Sequence, residues 1–127
     1  MPEEVSPELR EFIAEQVGSI AQLELLLLLA ADPARRWTAE EAATALYIAP
    51  DAAYGFLEGM RIRGLLETVS QPDDFRFAPQ NREWSALVSK LALLYKERRL
   101  TVINLIFSHP VDKLHSFADA FRFRRPS

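Results

Sequence analysis

The stretch from Trp37 to Glu67, WTAEEAATALYIAPDAAYGFLEGMRIRGLLE, constrains this 127-residue chain more than any other. Thr38 followed three residues later by Glu41 has the spacing of a capping box, so a helix starts there, with Ala42, Ala45 and Leu46 as its apolar face. A second helix begins near Pro50, whose fixed φ suits a first helical turn, and stops at Gly64, which can take the left-handed conformation a helix end needs. Ala53, Leu57 and Met60 recur at helical spacing in this second helix. With those three inward, Asp51, Ala52, Tyr54, Gly55 and Glu58 face outward. The remainder of the chain is expected to be organised around this pair of short helices and their tight turn.

Upstream, Ser6, Pro7 and Glu8 supply an N-cap, a first-turn proline and a dipole-favoured acid, which predicts a helix over 7–18 with Leu9, Phe12, Ile13 and Val17 as its stripe. Gly18 ends it. Ser19 and Gln22 offer another capping box for a helix through Ala31. Ile20, Leu23 and Leu25 to Leu29 cover most of that helix's circumference, so it is expected to be the central buried helix; a coiled-coil seam would need a narrower stripe. Asp32 and Pro33 close it, and Arg35, Arg36 and Trp37 form an extended link, with Trp37 in the core.

Downstream of Gly64, Leu65 to Ser70 read as a strand, Gln71 to Asp74 as a polar turn and Phe75 to Ala78 as a returning strand. Asn81 can cap a long helix over 81–108 with Trp84, Leu87, Val88, Leu91, Leu94, Tyr95, Val102, Leu105 and Ile106 as apolar positions. A kink at the charged block Lys96 to Arg99 is the alternative, because Thr101, Val102 and Ile103 restrict χ1. Pro110 forces a break, and Val111, Leu114, Phe117, Ala118 and Phe121 define a short final helix before a basic tail, together spanning 110–127.

The length fits one domain with a real core, and the absence of cysteine excludes a disulfide framework, a thiolate metal site and a cysteine nucleophile. The longest apolar run, Leu25 to Ala31, is far short of the roughly 20 residues that span a bilayer, so neither a membrane anchor nor export is expected and the expected location is the cytoplasm. The net charge of -3 conceals an asymmetry. Residues 1–31 carry six acids and one base, 32–80 eight acids and five bases, and 81–127 four acids and nine bases.

A capped helix, a turn, a second helix ending in Arg-Gly-Leu-Leu-Glu and a β-hairpin directly after it resemble the winged helix-turn-helix of MarR- and PadR-type transcriptional regulators, over roughly residues 19–79. The resemblance implies a mainly α fold with a small β-hairpin, flanked by N- and C-terminal helices. It also implies that the second helix enters the major groove of double-stranded DNA and that the flanking helices form a homodimer interface. On that view Tyr54 and Gly55 approach the groove, while Arg35, Arg36, Arg61, Arg63 and Arg76 contact phosphates. Phe12, Leu91, Leu94, Val102 and Leu105 would lie in the dimer interface.

Other residues pull against the simplest version of that reading. The outward face of the second helix holds two acids, Asp51 and Glu58, and no base, whereas phosphate contact favours Lys and Arg. Asp73 and Asp74 at the hairpin tip oppose it as well. A competing reading therefore has the same face, around Asp51, Tyr54, Phe56 and Glu58, dock a protein partner. Gly55 and Gly59, four apart, suggest the close approach of another backbone or helix. In the basic C-terminal third, Lys96, Arg98 and Arg99 are expected to pair with Glu8, Glu11 and Glu15. Arg122, Arg124 and Arg125 could instead form an arm for DNA, and Phe117, Phe121 and Phe123 a membrane contact that Asp119 opposes. His109 and His115 lack metal partners at helical spacing, and no nucleophile elbow or phosphate-binding glycine loop is present, so neither enzyme activity nor a cofactor is expected.

Overall fold

Four helix starts in this chain are written into single side chains. In the computed structural model, which describes residues 5–68 and 74–107, Ser6 caps α1 (Pro7–Gln16) by accepting from the Leu9 N–H, and Ser19 caps α2 (Ile20–Ala30) by accepting from the Gln22 N–H, each at 3.2 Å. The second box does not close as its spacing suggests. The Gln22 carboxamide accepts instead from the N–H of Gly18, at 2.6 Å, one residue before the cap. At α3 (Ala39–Leu46) the box is complete, with Thr38 Oγ1 accepting from Glu41 N–H and Glu41 Oε1 from Thr38 N–H, both at 3.1 Å. Asn81 caps α5 (Arg82–Glu97) through the Glu83 N–H at 2.9 Å.

The end of α4 (Pro50–Ile62) is a Schellman motif. Gly64 takes φ +91°, its N–H donates to Arg61 O at 3.0 Å, and the Leu65 N–H reaches back to Met60 O at 2.9 Å. The turn delivers the chain into β2 (Leu66–Thr68), which pairs antiparallel with β3 (Asp74–Phe77). The sheet has three strands, not the expected two. The link before α3 is itself a strand, β1 (Trp37–Thr38), and lies on the other side of β3 with Trp37 opposite Phe75 and Thr38 opposite Asp74.

α2 is the central helix. Leu23, Leu25, Leu26 and Leu29 are buried, and α3, α4, α5 and β3 all pack on it. α1 precedes it across a 108° bend and lays Leu9, Phe12 and Ile13 into the same core, Phe12 edge-on to Trp84 of α5. Trp37 is buried there too, with the Arg35 guanidinium 3.5 Å from its ring centroid.

The long C-terminal helix is interrupted. α5 ends at Glu97, Arg98 leaves helical geometry at φ −136° and ψ 61°, and residues 99–107 form a further helix, α6. Arg98 stands four residues after Leu94 and four before Val102, both buried, so an unbroken helix would carry a guanidinium into the apolar stripe. Breaking there leaves Arg98 exposed while Val102 and Ile106 still reach the core. Arg99 latches the joint: it lies over the Tyr95 ring and donates to the Tyr95 hydroxyl at 3.1 Å, and that hydroxyl donates to Glu24 of α2 at 2.9 Å. Burial and the Glu24 carboxylate push the Tyr95 hydroxyl pKa up. The expected pairing of Arg99 with the acids of α1 is thus replaced by Tyr95, and neither Lys96 nor Glu8, Glu11 and Glu15 has an ion-pair partner among the described residues. No single helix among the described residues is long and apolar enough to cross a membrane. The expected final helix, the basic tail, His109, His115 and the hairpin tip with Asp73 lie outside the described residues.

Candidate nucleic-acid interface

α3 and α4 pack against each other and against α2, so the face of α4 away from Ala53, Leu57 and Met60 is presented outward. Asp51, Ala52, Tyr54 and Gly55 are exposed on it and Glu58 is half-buried, as the periodicity implies. Unlike α3, α4 has no side-chain cap: Ala49 occupies the N-cap. Tyr54 also turns toward the sheet, its ring edge-on to Phe75 with centroids 6.0 Å apart, and its hydroxyl meets Glu58 Oε2 at 3.4 Å. The residue therefore ties α4 to the sheet as well as lining its surface.

The structure places every candidate arginine against a partner within the chain. Arg61 grips Glu58 through Nε and a terminal nitrogen at 2.8–3.2 Å, a contact that holds the Glu58 carboxyl below its usual range and raises the Arg61 pKa. Arg76 pairs with Glu67 across the β2–β3 register. Arg36 pairs with Asp74 at 3.5 Å. Asp74 is not at an exposed hairpin tip; it begins β3, is 9% exposed and neutralises Arg36. Arg35 lies on Trp37.

Arg63 departs furthest from its expected role. At the C-cap of α4 it folds back onto α1, Nε donating to Gln16 Oε1 at 2.8 Å and a terminal nitrogen to Gln16 O at 3.3 Å. Burial alone lowers its pKa. It is a clasp between α1 and α4. Gly59 makes room for it, since a Cβ there would come within 3.3 Å of the Arg63 guanidinium. At Gly55 a Cβ would meet nothing within 4 Å. Among the described residues, no other backbone or helix of this chain comes within 4 Å of a Cβ at either glycine.

The residues expected at a dimer interface serve this chain's own core: Phe12, Leu91, Leu94 and Val102 are buried and Leu105 is half-buried. Helical periodicity marks an apolar face without telling whether a core or a partner covers it. The apolar side chains left in solvent on these helices are Leu93, Leu100 and Phe107, exposed by 55%, 72% and 59% and spaced seven residues apart.

Tyr47 carries no mark in the helical pattern, yet it is the most unusual residue of the site. It sits in the turn between α3 and α4 with φ 59° and ψ 45°, the only non-glycine residue at positive φ among those described. A side chain in that conformation costs roughly 1–2 kcal/mol, which glycine or asparagine there would relieve. Its ring is 93% exposed and its hydroxyl has no partner among the described residues. The signal available in the sequence was a tyrosine where a helix C-cap favours glycine. Among the described residues no group of three or more acidic or histidine side chains is placed to hold a metal ion.

No family model matches this chain, and no curated protein does. Solved structures do. The chain is similar to the MarR family transcriptional regulator SPO1453 from Silicibacter pomeroyi DSS-3, with 16% identity over 94% of this chain and 88% of that one and a TM-score of 0.53. It is similar to MepR, a transcription regulator of the Staphylococcus aureus multidrug efflux pump MepA, with 12% identity over 96% and 90% of the two chains and a TM-score of 0.53. At such identities the likeness is one of fold: the chain shares the winged-helix fold of these two structures, with three strands in its sheet and helices on either side.

Proposed function

We propose that the chain is a non-enzymatic, cytoplasmic DNA-binding transcriptional regulator that acts as a homodimer. The observation that carries the DNA reading is Gly55. It stands exposed in the middle of α4, where glycine weakens a helix by about 1 kcal/mol relative to alanine, and the fold leaves open space where a Cβ would go. A surface with only Ala52 and Gly55 between the larger side chains lets a duplex backbone or base edge come close.

Charge limits how strongly that surface can bind. Glu58, Glu67 and Asp74 hold Arg61, Arg76 and Arg36, so phosphates would have to replace carboxylates that are already in place. Binding of modest affinity and marked salt sensitivity follows. A mobility shift at low salt with mixed genomic fragments tests this. Retarded complexes that weaken with added salt, and weaken further in the Arg61→Ala, Arg76→Ala double variant, support the reading. If no complex forms at low salt, DNA regulation should be abandoned in favour of a protein partner seated on Asp51, Tyr54 and Glu58.

Leu93, Leu100 and Phe107 support the dimer, with the acids of α1 and Lys96, which have no ion-pair partner among the described residues, available for contacts between copies. On this reading Leu93→Glu with Leu100→Glu leaves a folded monomer in sedimentation, and an unchanged sedimentation coefficient would exclude the contact.

A further inference from the structure

We propose that Tyr47 is a positioning residue for the duplex: an uncharged donor whose phenolic O–H bonds a backbone phosphate at the edge of the groove. The proposal rests on the DNA reading above and extends it to a residue outside the helix that reads the groove.

Three observations converge on Tyr47. Its backbone is held in a left-handed conformation that nothing in its side-chain packing rewards, because the ring touches solvent almost everywhere. Strained residues persist where the surroundings impose them and are often kept for a task outside the fold. Here the surroundings are identifiable: the Tyr47 and Ile48 N–H groups both donate to Ala43 O, closing the end of α3, the latter at 3.1 Å. The helix end thus dictates the backbone, while the side chain is left free.

Position gives that free side chain a use. When the second helix of such a pair enters the major groove, its N-terminal residues meet the base edges and the first helix crosses the phosphate backbone. Tyr47 lies in the turn between the two, three residues before Pro50 at the start of α4. Tyrosine hydroxyls are among the side-chain donors that fix register through phosphate oxygens. Arg36, Arg61 and Arg76, the arginines expected at phosphates, are occupied by carboxylates, so a neutral donor without a partner among the described residues can reach phosphate without first breaking an ion pair.

A neutral donor has a signature that a cation lacks. It adds affinity but displaces no counterion, so removing it should leave the slope of log affinity against log salt unchanged. The test measures fluorescence anisotropy of a pool of short random-sequence duplexes with the parent protein, Tyr47→Phe and Tyr47→Gly across a salt series, alongside thermal melts. The expected results are about tenfold weaker binding by Tyr47→Phe at an unchanged salt slope, and binding at least as weak by Tyr47→Gly. The glycine variant should also melt about 2–4 °C higher, because the strain is relieved. Tyr47→Phe binding as tightly as the parent overturns the proposal, whatever the glycine variant does, and leaves the DNA reading standing. A parent protein that binds no duplex removes both.

Discussion

The two helices of the helix-turn-helix are adjacent in sequence and packed together, yet they are built on opposite terms. α3 satisfies its own N-terminus with a reciprocal Thr38–Glu41 box, places two acids in its first turn and buries only Ala39, Ala42 and Ala43. α4 has an uncapped alanine at its N-cap, two glycines in its interior and a strained tyrosine in the turn before it. What holds α4 is tertiary: Leu57 and Met60 in the core, the Arg63 clasp onto α1 and the Tyr54–Phe75 contact with the sheet. A helix stabilised by its own ends can be a strut. A helix held mainly from behind leaves Asp51, Ala52 and Gly55 on its front exposed, while Tyr54 and Glu58 there still make contacts within the chain.

The largest test of this contrast is Leu57→Ala. Leu57 is fully buried, so its truncation should cost about 2–5 kcal/mol in urea unfolding, whereas the large apolar side chain of α3, Leu46, is only half-buried and should cost less. A cost below about 1 kcal/mol would mean that α4 does not depend on the core behind it. Next comes Thr38→Ala, expected to remove about 1 kcal/mol by opening the capping box; the same stability after substitution would deny α3 its local support. Gly55→Ala has the opposite sign. It should raise stability by about 1 kcal/mol, because the new methyl group meets open space, and a neutral or destabilising result would reveal a structural need for glycine there.

Acid should produce the smallest effect. Arg61 holds the folded-state pKa of Glu58 below its unfolded value, so what their pair adds is present above the ordinary carboxylate range, near about pH 4.3, and disappears as pH falls through the lower folded value. Both side chains reach solvent, so the change is slight. Comparing acid titrations of the parent and Glu58→Gln by circular dichroism would detect it, and superimposable curves would show that the pair adds nothing.

Much of this fold is legible in single residues. Ser6, Ser19, Thr38 and Asn81 each cap the helix they announce, Pro50 and Gly64 bound α4, and the leucine-rich segment from Leu23 to Leu29 is the central helix. These signals work because a cap, a proline and a left-handed glycine act over three or four residues, within the reach of local geometry. The break at Arg98 was visible as a charged block but competed with an apolar stripe continuing beyond it, and only the cost of burying the guanidinium decided the matter.

By itself, then, the sequence determined where α1 to α5 begin, where α4 ends and which residues stand outward on α4. The tertiary structure alone decided who meets whom. It joined Arg63 to Gln16 across 47 positions of sequence, set Arg76 against Glu67, brought Arg36 to Asp74 and made Trp37–Thr38 the third strand of the sheet. It also turned Phe12, Leu91, Leu94 and Val102 into core and left Leu93, Leu100 and Phe107 in solvent. The physical reason is one of range. Backbone caps are satisfied by neighbours in the chain, whereas an arginine's availability for phosphate depends on which carboxylate folding brings within about 4 Å, and that is fixed only when the elements pack.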